Sequence, residues 1–523
     1  MPASRSNPFL FAAGVVIVGT AAGYAGSKPA LAAVIALGAL IALSARSLDG
    51  WQRIYSVAVV LMLCAASNVE VLTRFSFHAR YVAVAALVVW TFVTGTQGRR
   101  SLRSLGRPAR WLIGGLWAAA ALAVCSTAWS VNRMETLQQS IALGLLAALV
   151  HAMITRRWAD PRVIGKDLGI AYVLLVLCFT ASLAYDVLGG ENSRTYGGRL
   201  QGIFANPNTL SVLCAMSIPV GWSLYRRSQR PLALAGIVPA VVALVLSESR
   251  TALLAVAIGG FWVLARSGLG AVVRCVCAVA LAATALQLVG GFGLLRGAEW
   301  ANGLADRFTA QEGGDVSNGR IFAWQLTLDF WEARPGVGYG YAAGPSLFEG
   351  TRQSDFFDFQ GNSVHNSYLQ WVLELGLAGA AVLLLLGLVC LVVVFRGALH
   401  GVGSGLVWLV VTGLLVQLTE SAMFGTGQPY PYLFWLAVAA ALAHTGHVRP
   451  AGPRHLWRRC AEVPRPTGPR VGAVRSATAP NSGRGAGRNP VTVHASGAGH
   501  AGRPASRPGR RGGPASRGRP ANR

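Results

Sequence analysis

The chain has 523 residues, of which 53% are hydrophobic and only 13% charged, and its formal net charge is +26. Soluble domains carry about 25% charged residues, and here the apolar residues come in long blocks with a mean hydropathy of +0.47, which excludes an ordinary soluble fold. Roughly 15 of the positive charges fall in residues 447–523, so the net charge reports a local segment and not a nucleic-acid-binding domain.

A membrane span needs about 20 mostly apolar residues. The blocks predict about 14 spans, at 8–25, 29–45, 51–67, 80–96, 111–127, 136–154, 168–187, 207–225, 231–247, 250–266, 270–290, 367–395, 403–418 and 430–446. The expected fold is therefore all-α, a polytopic transmembrane helix bundle of about 12–14 spans. Arg5, an apolar run and Ala25-Gly26 resemble a signal peptide. More apolar blocks follow at once, so the first segment reads as an uncleaved span. The eight cysteines mostly lie in apolar blocks, and Cys275-Val-Cys277 lacks zinc spacing, so neither a disulfide nor a structural metal is expected.

Cytoplasmic loops of membrane proteins are rich in Lys and Arg. Arg99 to Arg110, Arg156 to Lys166, Arg226 to Arg230, and Arg266 with Arg274 all fall on one side if the spans alternate. That assignment places both termini in the cytoplasm and loops 188–206, 248–250, 291–366 and 419–429 outside. The segment 291–366 is the long external loop. Within it, Ser317 to Glu332 reads as an amphipathic helix, with Ser317 or Asn318 as cap and Ile321, Trp324, Leu328 and Trp331 at helical spacing. Pro335-Gly336 ends it. Three parts follow: N-terminal spans over 1–190, a membrane core over 191–446, and a disordered basic cytoplasmic tail over 447–523. Arg, Gly, Pro, Ala and Ser dominate the tail, which cannot bury enough apolar surface to fold. Its expected partners are anionic membrane lipids, with no nucleic acid expected.

Several polar groups meet the expected external membrane edge. Arg250 follows Ser249 at the start of a span, where it either snorkels to the interface or faces a wet cavity. Arg320 opens the amphipathic helix, either solvated or holding an anion together with free backbone N–H groups. His365, in Val364-His365-Asn366-Ser367, can take a proton near neutral pH or simply sit hydrogen-bonded at a helix start. Arg194 and Arg199 precede Asn206-Pro207, a pair suited to the cap and first turn of a helix. External arginines and one histidine, without a carboxylate cluster, suit a lipid-linked pyrophosphate and argue against bound Mg²⁺.

Ser249-Arg250-Thr251-Ala252-Leu253-Leu254, Gly319-Arg320 with Trp324, Pro335-Gly336-Val337-Gly338, His365-Asn366 through Leu369 and Glu374-Leu375-Gly376 occur in that order. Together they resemble the O-antigen ligase / O-antigen polymerase family of bacterial membrane glycosyltransferases, over roughly 195–390. The resemblance implies transfer of a glycan from a polyprenyl-pyrophosphate-linked donor to a glycan or lipid-glycan acceptor on the external face, without cofactor or metal. It implies His365 as base and Arg250 and Arg320 as pyrophosphate ligands, with Arg199 a further candidate. Asn366 and Glu374 are supporting residues, Glu374 to orient the histidine or bind the acceptor. The basic tail is not part of the family pattern. A protein O-oligosaccharyltransferase would share this core, and a polysaccharide transporter or flippase would instead show broken spans in two repeated halves.

The orientation is tested by single cysteines at Ser101 and Gly361 in a chain lacking the native cysteines. An impermeant thiol reagent applied to whole cells is expected to label position 361 and miss position 101. The reverse pattern, or labelling of both, overturns the orientation.

Overall fold

Helix after helix follows a polar cap, a proline or both. In the computed structural model, which describes residues 48–94, 100–195, 198–270, 272–273, 320–349, 363–399, 401–421 and 423–445, there is no β-strand among the described residues, only two isolated bridges. The chain divides into Met1–Gly452 and Pro453–Arg523, and every described residue lies in the first unit.

Helix α1 (Gly50–Ala65) starts on a capping box, in which Asp49 accepts from the Gln52 N–H at 2.8 Å and Gln52 Oε1 accepts from the Asp49 N–H at 3.2 Å. Helix α2 (Glu70–Thr94) follows. Helix α3 (Arg107–Ser126) starts at a proline turn, α4 (Arg133–Ala152) is capped by Asn132, and a π turn over Met153–Arg157 extends α4. Asp160 caps α5 (Pro161–Val187), and Asn206 caps α6 (Pro207–Ser228) with Pro207 in the first turn, as the sequence predicts. The block at 231–247 is two pieces, α7 (Pro231–Ala235) and α8 (Ile237–Leu246). Then come α9 (Arg250–Arg266), α10 (Arg320–Ala333), α11 (Gly344–Glu349), α12 (Ser367–Arg396), α13 (Val402–Val416) and α14 (Tyr430–Thr445). The spans expected at 8–25, 29–45 and 270–290 lie outside the described residues, as does the 447–523 tail. Each of the others coincides with a helix, although α2 begins ten residues ahead of the span expected at 80–96.

Five helices are long and apolar enough to cross a bilayer, namely Leu72–Thr94, Arg107–Ser126, Arg133–Arg157, Arg162–Val187 and Ser367–Arg396. Leu384, Leu388, Leu391 and Phe395, all 45–66% exposed, form one stripe along α12. An exposed apolar stripe at this spacing is what lipid covers in a multi-pass membrane protein.

The bundle has two chemically distinct ends. At one end the basic loops meet. The Arg100 N–H donates to Thr155 O at 3.0 Å, and Arg100 Nη2 to Ala159 O at 3.0 Å. Arg227 Nη2 reaches Arg162 O at 3.0 Å, and Arg266 Nη1 reaches Val394 O at 2.8 Å. Asp167, 1% exposed, holds Arg157 Nη2 at 2.9 Å and the Trp158 indole N–H at 3.0 Å. At the opposite end, Ser67 bridges to Phe204, the Leu200 N–H donates to Leu246 O, the Val131 N–H to Tyr339 O, and the Ser367 N–H to Gln417 O.

The amphipathic helix predicted over 317–332 is described from Arg320 onward as α10. Ala323 and Thr327 are buried, whereas Ile321 and Leu328 are 55% and 43% exposed. Trp324, Leu326, Phe330 and Trp331 pack partly buried against the cluster of Ala323, Tyr339, Phe348 and Leu373, while Ile321 and Leu328 face outward, where membrane-surface packing suits them. The turn after α10 lies against a break in α12. Gly376 has φ 60° and ψ −152°, a region reserved almost wholly for glycine, and a Cβ there would lie 2.5 Å from Gly336 O. The Leu377 N–H freed by the break donates to Pro335 O at 2.9 Å, and the Gly340 N–H to Glu374 O at 2.8 Å.

Gly376→Ala is therefore expected to cost about 1–3 kcal/mol from backbone strain alone, and more from the clash. The loss reads as a lowered thermal midpoint of detergent-purified protein, followed by tryptophan fluorescence. An unchanged midpoint refutes the close approach.

Candidate active site

The residues singled out in the sequence lie at the end opposite the basic loops. Asn366 caps α12, its Oδ1 accepting from the Tyr368 and Leu369 N–H groups, each at 3.0 Å. Its extended backbone turns the chain sharply, and the preceding residue, His365, takes φ 50°. A left-handed non-glycine residue costs about 1–2 kcal/mol, so the surroundings must fix it. They do. The Trp324 indole N–H donates to Val364 O at 3.1 Å, and the His365 N–H donates to Ser363 Oγ at 3.3 Å. Ser363 Oγ in turn reaches Ser421 Oγ at 3.2 Å.

The decisive partner is Glu420, in the segment between α13 and α14. Its Oε1 accepts from Arg320 Nη2 at 2.9 Å, and its Oε2 stands 3.5 Å from His365 Nδ1. All three side chains are only 13–20% exposed. Arg320 is the first residue of α10, where a cation on its own meets the positive end of the helix dipole. Glu420 offsets that. Ser367 Oγ donates to Glu420 O at 2.8 Å and accepts from the Met423 N–H at 3.0 Å, which fastens the Glu420 segment to the start of α12.

Glu420, which faces the histidine, is a residue that the sequence did not single out. Glu374 is engaged elsewhere. Its carboxylate takes Gln370 Nε2 at 2.8 Å and the backbone N–H groups of Ala342 and Gly344. It therefore holds the turn after α10.

Arg199 and Arg250 are placed through other contacts. Arg199 Nε donates to Ser247 O at 3.0 Å and Nη2 to Asn208 Oδ1 at 2.7 Å, bracing the turn that leads through Glu248, buried at φ 52°, to Arg250. Both α6 and α9 run antiparallel to α13. A Cβ on Gly413 would touch Phe434 and Met216, one on Gly405 would touch Pro219 O, and the Trp408 indole N–H donates to Val256 O at 2.7 Å. The start of α6, with Asn208, and the start of α9, with Arg250, thus reach the level where α13 ends and the Glu420 segment begins. Arg199, Arg250, Arg320 and His365 share one end of the bundle, around the rim of α13.

Beside this cluster lies a cavity of about 220 Å³. Its lining includes Ser367 and Ser421 next to Glu420, and the Tyr341, Trp371 and Phe424 rings. Trp371 stacks on Phe424 at 3.9 Å, and the Tyr341 hydroxyl donates to Phe424 O at 2.6 Å. Burial pushes the Tyr341 hydroxyl up well above its ordinary pKa, so it stays a donor.

Residues 235–384 match the family model described as O-Antigen ligase. The chain carries an O-antigen ligase domain. Within the match lie Arg250, Arg320, His365, Asn366 and Glu374, while Arg199 and Glu420 lie outside it. No curated protein matches the chain. The match and the apolar helices together support a multi-pass membrane protein of the ligase/polymerase type, with a role in polysaccharide biosynthesis and, at a coarse level, lipid-linked glycan substrates.

If Glu420 and Arg320 act as a pair, Glu420→Gln and Arg320→Lys are expected not to be additive. A double-mutant cycle on thermal stability should give a coupling of about 0.5–3 kcal/mol. Strict additivity would remove the pair.

Proposed function

We propose that this ligase domain transfers a glycan from a polyprenyl-pyrophosphate carrier to a glycan or lipid-glycan acceptor, outside the cytoplasmic membrane, with inversion. The observation that carries the reading is a histidine at the mouth of a span, facing a carboxylate that also holds an arginine, at the end opposite the basic loops. The positive-inside rule puts that end outside.

In this reading Glu420 orients His365 by accepting from Nδ1–H and steadies the imidazolium that forms, leaving Nε2 as the base. The contact at 3.5 Å shortens once substrate is bound and water is displaced. His365 Nε2 takes the proton of an acceptor hydroxyl as its oxygen forms a bond to the anomeric carbon. The bond from that carbon to the phosphate oxygen breaks, and the electron pair leaves on the pyrophosphate. Arg250 and Arg320 meet the growing negative charge. Guanidinium forks fit phosphate oxygens in pairs, and donors fixed in a water-poor site are each worth a few kcal/mol (roughly 3–4 from removal of one such donor). Arg199 serves the same anionic site chiefly through the Ser247–Arg250 turn. Asn366 holds the histidine's backbone, and Glu374 the wall beside it.

The test is glycan transfer from purified lipid-linked donor. His365→Ala is expected to lose about 10²–10⁴ in rate while inserting at normal levels. Arg250→Lys and Arg320→Lys should also be poor enzymes, because an ammonium keeps the charge and loses the fork. Wild-type turnover should persist in EDTA. Near-normal turnover by His365→Ala removes the base, and loss of activity in EDTA that Mg²⁺ restores removes arginine as the charge-neutralising group.

A further inference from the structure

The cavity beside Glu420 differs in chemistry from the cluster it adjoins. Among the described residues no lysine, arginine or histidine lines it, and two glutamates do, a lining that does not suit a pyrophosphate. Its polar groups are carboxylates and carboxamides in pairs. Gln139 Nε2 donates to Glu135 Oε1 at 2.8 Å on α4, and Gln370 Nε2 donates to Glu374 Oε1 at 2.8 Å on α12. Each pair still offers both N–H donors and oxygen acceptors at its free edges. Gln428 Oε1, on the third wall, is buried without a partner. An unsatisfied buried acceptor is costly, and native proteins rarely keep one without a use for it. Trp371 and Phe424 supply an apolar back wall. A single water occupies only about 10–15 Å³ of such space, so the cavity has room for far more than a bridging solvent molecule.

Neighbouring hydroxyls that donate and accept at once, on a ring with apolar C–H faces, are the chemistry of a neutral sugar. We propose that this cavity binds one neutral sugar unit of the glycan undergoing transfer, with Gln428, Gln139 and Gln370 reading its hydroxyls. The position agrees. Ser421 follows Glu420 in the chain, and Ser367 Oγ donates to Glu420 O, so the cavity adjoins the segment that carries the histidine's partner. Gly425 and Pro345, both exposed, lie at the cavity's mouth. The role in transfer rests on the function proposed above, whereas occupancy by a sugar does not.

The sugar unit belongs either to the donor or to the acceptor, and the experiment separates the two. The probe is the free oligosaccharide released by mild acid from the cells' own lipid-linked glycan, with the full-length protein in nanodiscs. Saturation-transfer NMR is expected to show binding to wild type, weakened about fivefold to tenfold in Gln428→Leu and in Gln139→Leu, the loss of one hydrogen bond to a neutral group. Gln428→Glu, which keeps the acceptor oxygens, should retain more binding than Gln428→Leu, and it stands in if the leucine variants fail to insert. In transfer assays the same variants should raise KM with kcat nearly unchanged. A rise in donor KM assigns the donor's sugar to the cavity, and a rise in acceptor KM assigns the acceptor's. Binding by wild type without any transfer would leave this site standing and remove the transferase reading. Active transfer, with binding and both KM values indifferent to the variants, would overturn the sugar site alone.

Discussion

A single carboxylate holds together the end opposite the basic loops. Glu420 lies in a short segment between two apolar helices, yet it meets Arg320 from the long-loop helix and His365 from the start of α12. These three elements are far apart in sequence. Their side chains are only 13–20% exposed, so the charges are partly desolvated. In that setting an unpaired charge is expensive, and removing one partner of a buried pair leaves the other uncompensated. The geometry of the histidine is therefore tied to the charge balance of the cluster. Backbone strain at His365 points the same way, since a left-handed histidine persists only where its neighbours over-determine it.

The bundle makes that cluster possible by bringing helix starts to one level. Helices α6 and α9 flank α13 in the antiparallel sense, and each begins with polar groups at the end where α13 finishes. Glycines 405, 413 and 259 let the helix axes approach, with Pro219 O, Phe434 and the Thr412 hydroxyl where a Cβ would otherwise sit. Small residues at helix contacts serve in membranes because lipid tails are as apolar as leucine, so association relies on packing and hydrogen bonds. The cationic loops meanwhile collect at the far end, where Arg227 and Arg266 are spent on backbone carbonyls. Charge is thus segregated along the bundle axis before any substrate enters.

Most of the helices were legible from apolar blocks and caps, because both signals are local. Asn206-Pro207 and Asn366 declare helix starts in the residues themselves, and the structure uses both as caps. Glu420 was not legible. A lone glutamate in a short loop has no local signature, and its significance comes from two partners 100 and 55 positions away in sequence. Of the two roles the sequence offered for Glu374, orienting the histidine or binding the acceptor, its position does not favour the first, for the converse reason. It follows the histidine closely in sequence, but one helix carries it to the turn after α10, whose backbone N–H groups it satisfies. Periodicity marked the large apolar residues of α10, but not how they divide: Trp324 and Trp331 pack partly buried, while Ile321 and Leu328 face outward. The split of the 231–247 block at Gly236 was equally invisible to a count of apolar residues.

The break at Gly376 connects the two halves of the site. It separates Ser367–Leu375 from the apolar remainder of α12, so those first turns take their direction from the turn after α10 and not from the span below. The short segment is fixed at one end by the Asn366 cap and at the other by Glu374, whose side chain and carbonyl both bind the 340–344 backbone. His365 precedes this piece, and Gln370 and Glu374 project from it. A helix rises about 1.5 Å per residue, which puts Gln370 roughly 4–5 Å and Glu374 roughly 10 Å along the axis from Ser367, the first helical residue after the histidine and its cap. A base and the groups proposed to read a sugar then ride on one rigid element, and their spacing survives movement of the membrane-embedded part. Such fixed placement is what orientation effects in transfer reactions require, because small displacements of a reacting atom are costly in rate. The residue that makes it possible is the glycine that interrupts the helix, and its value lies in the turn it frees rather than in any contact with substrate.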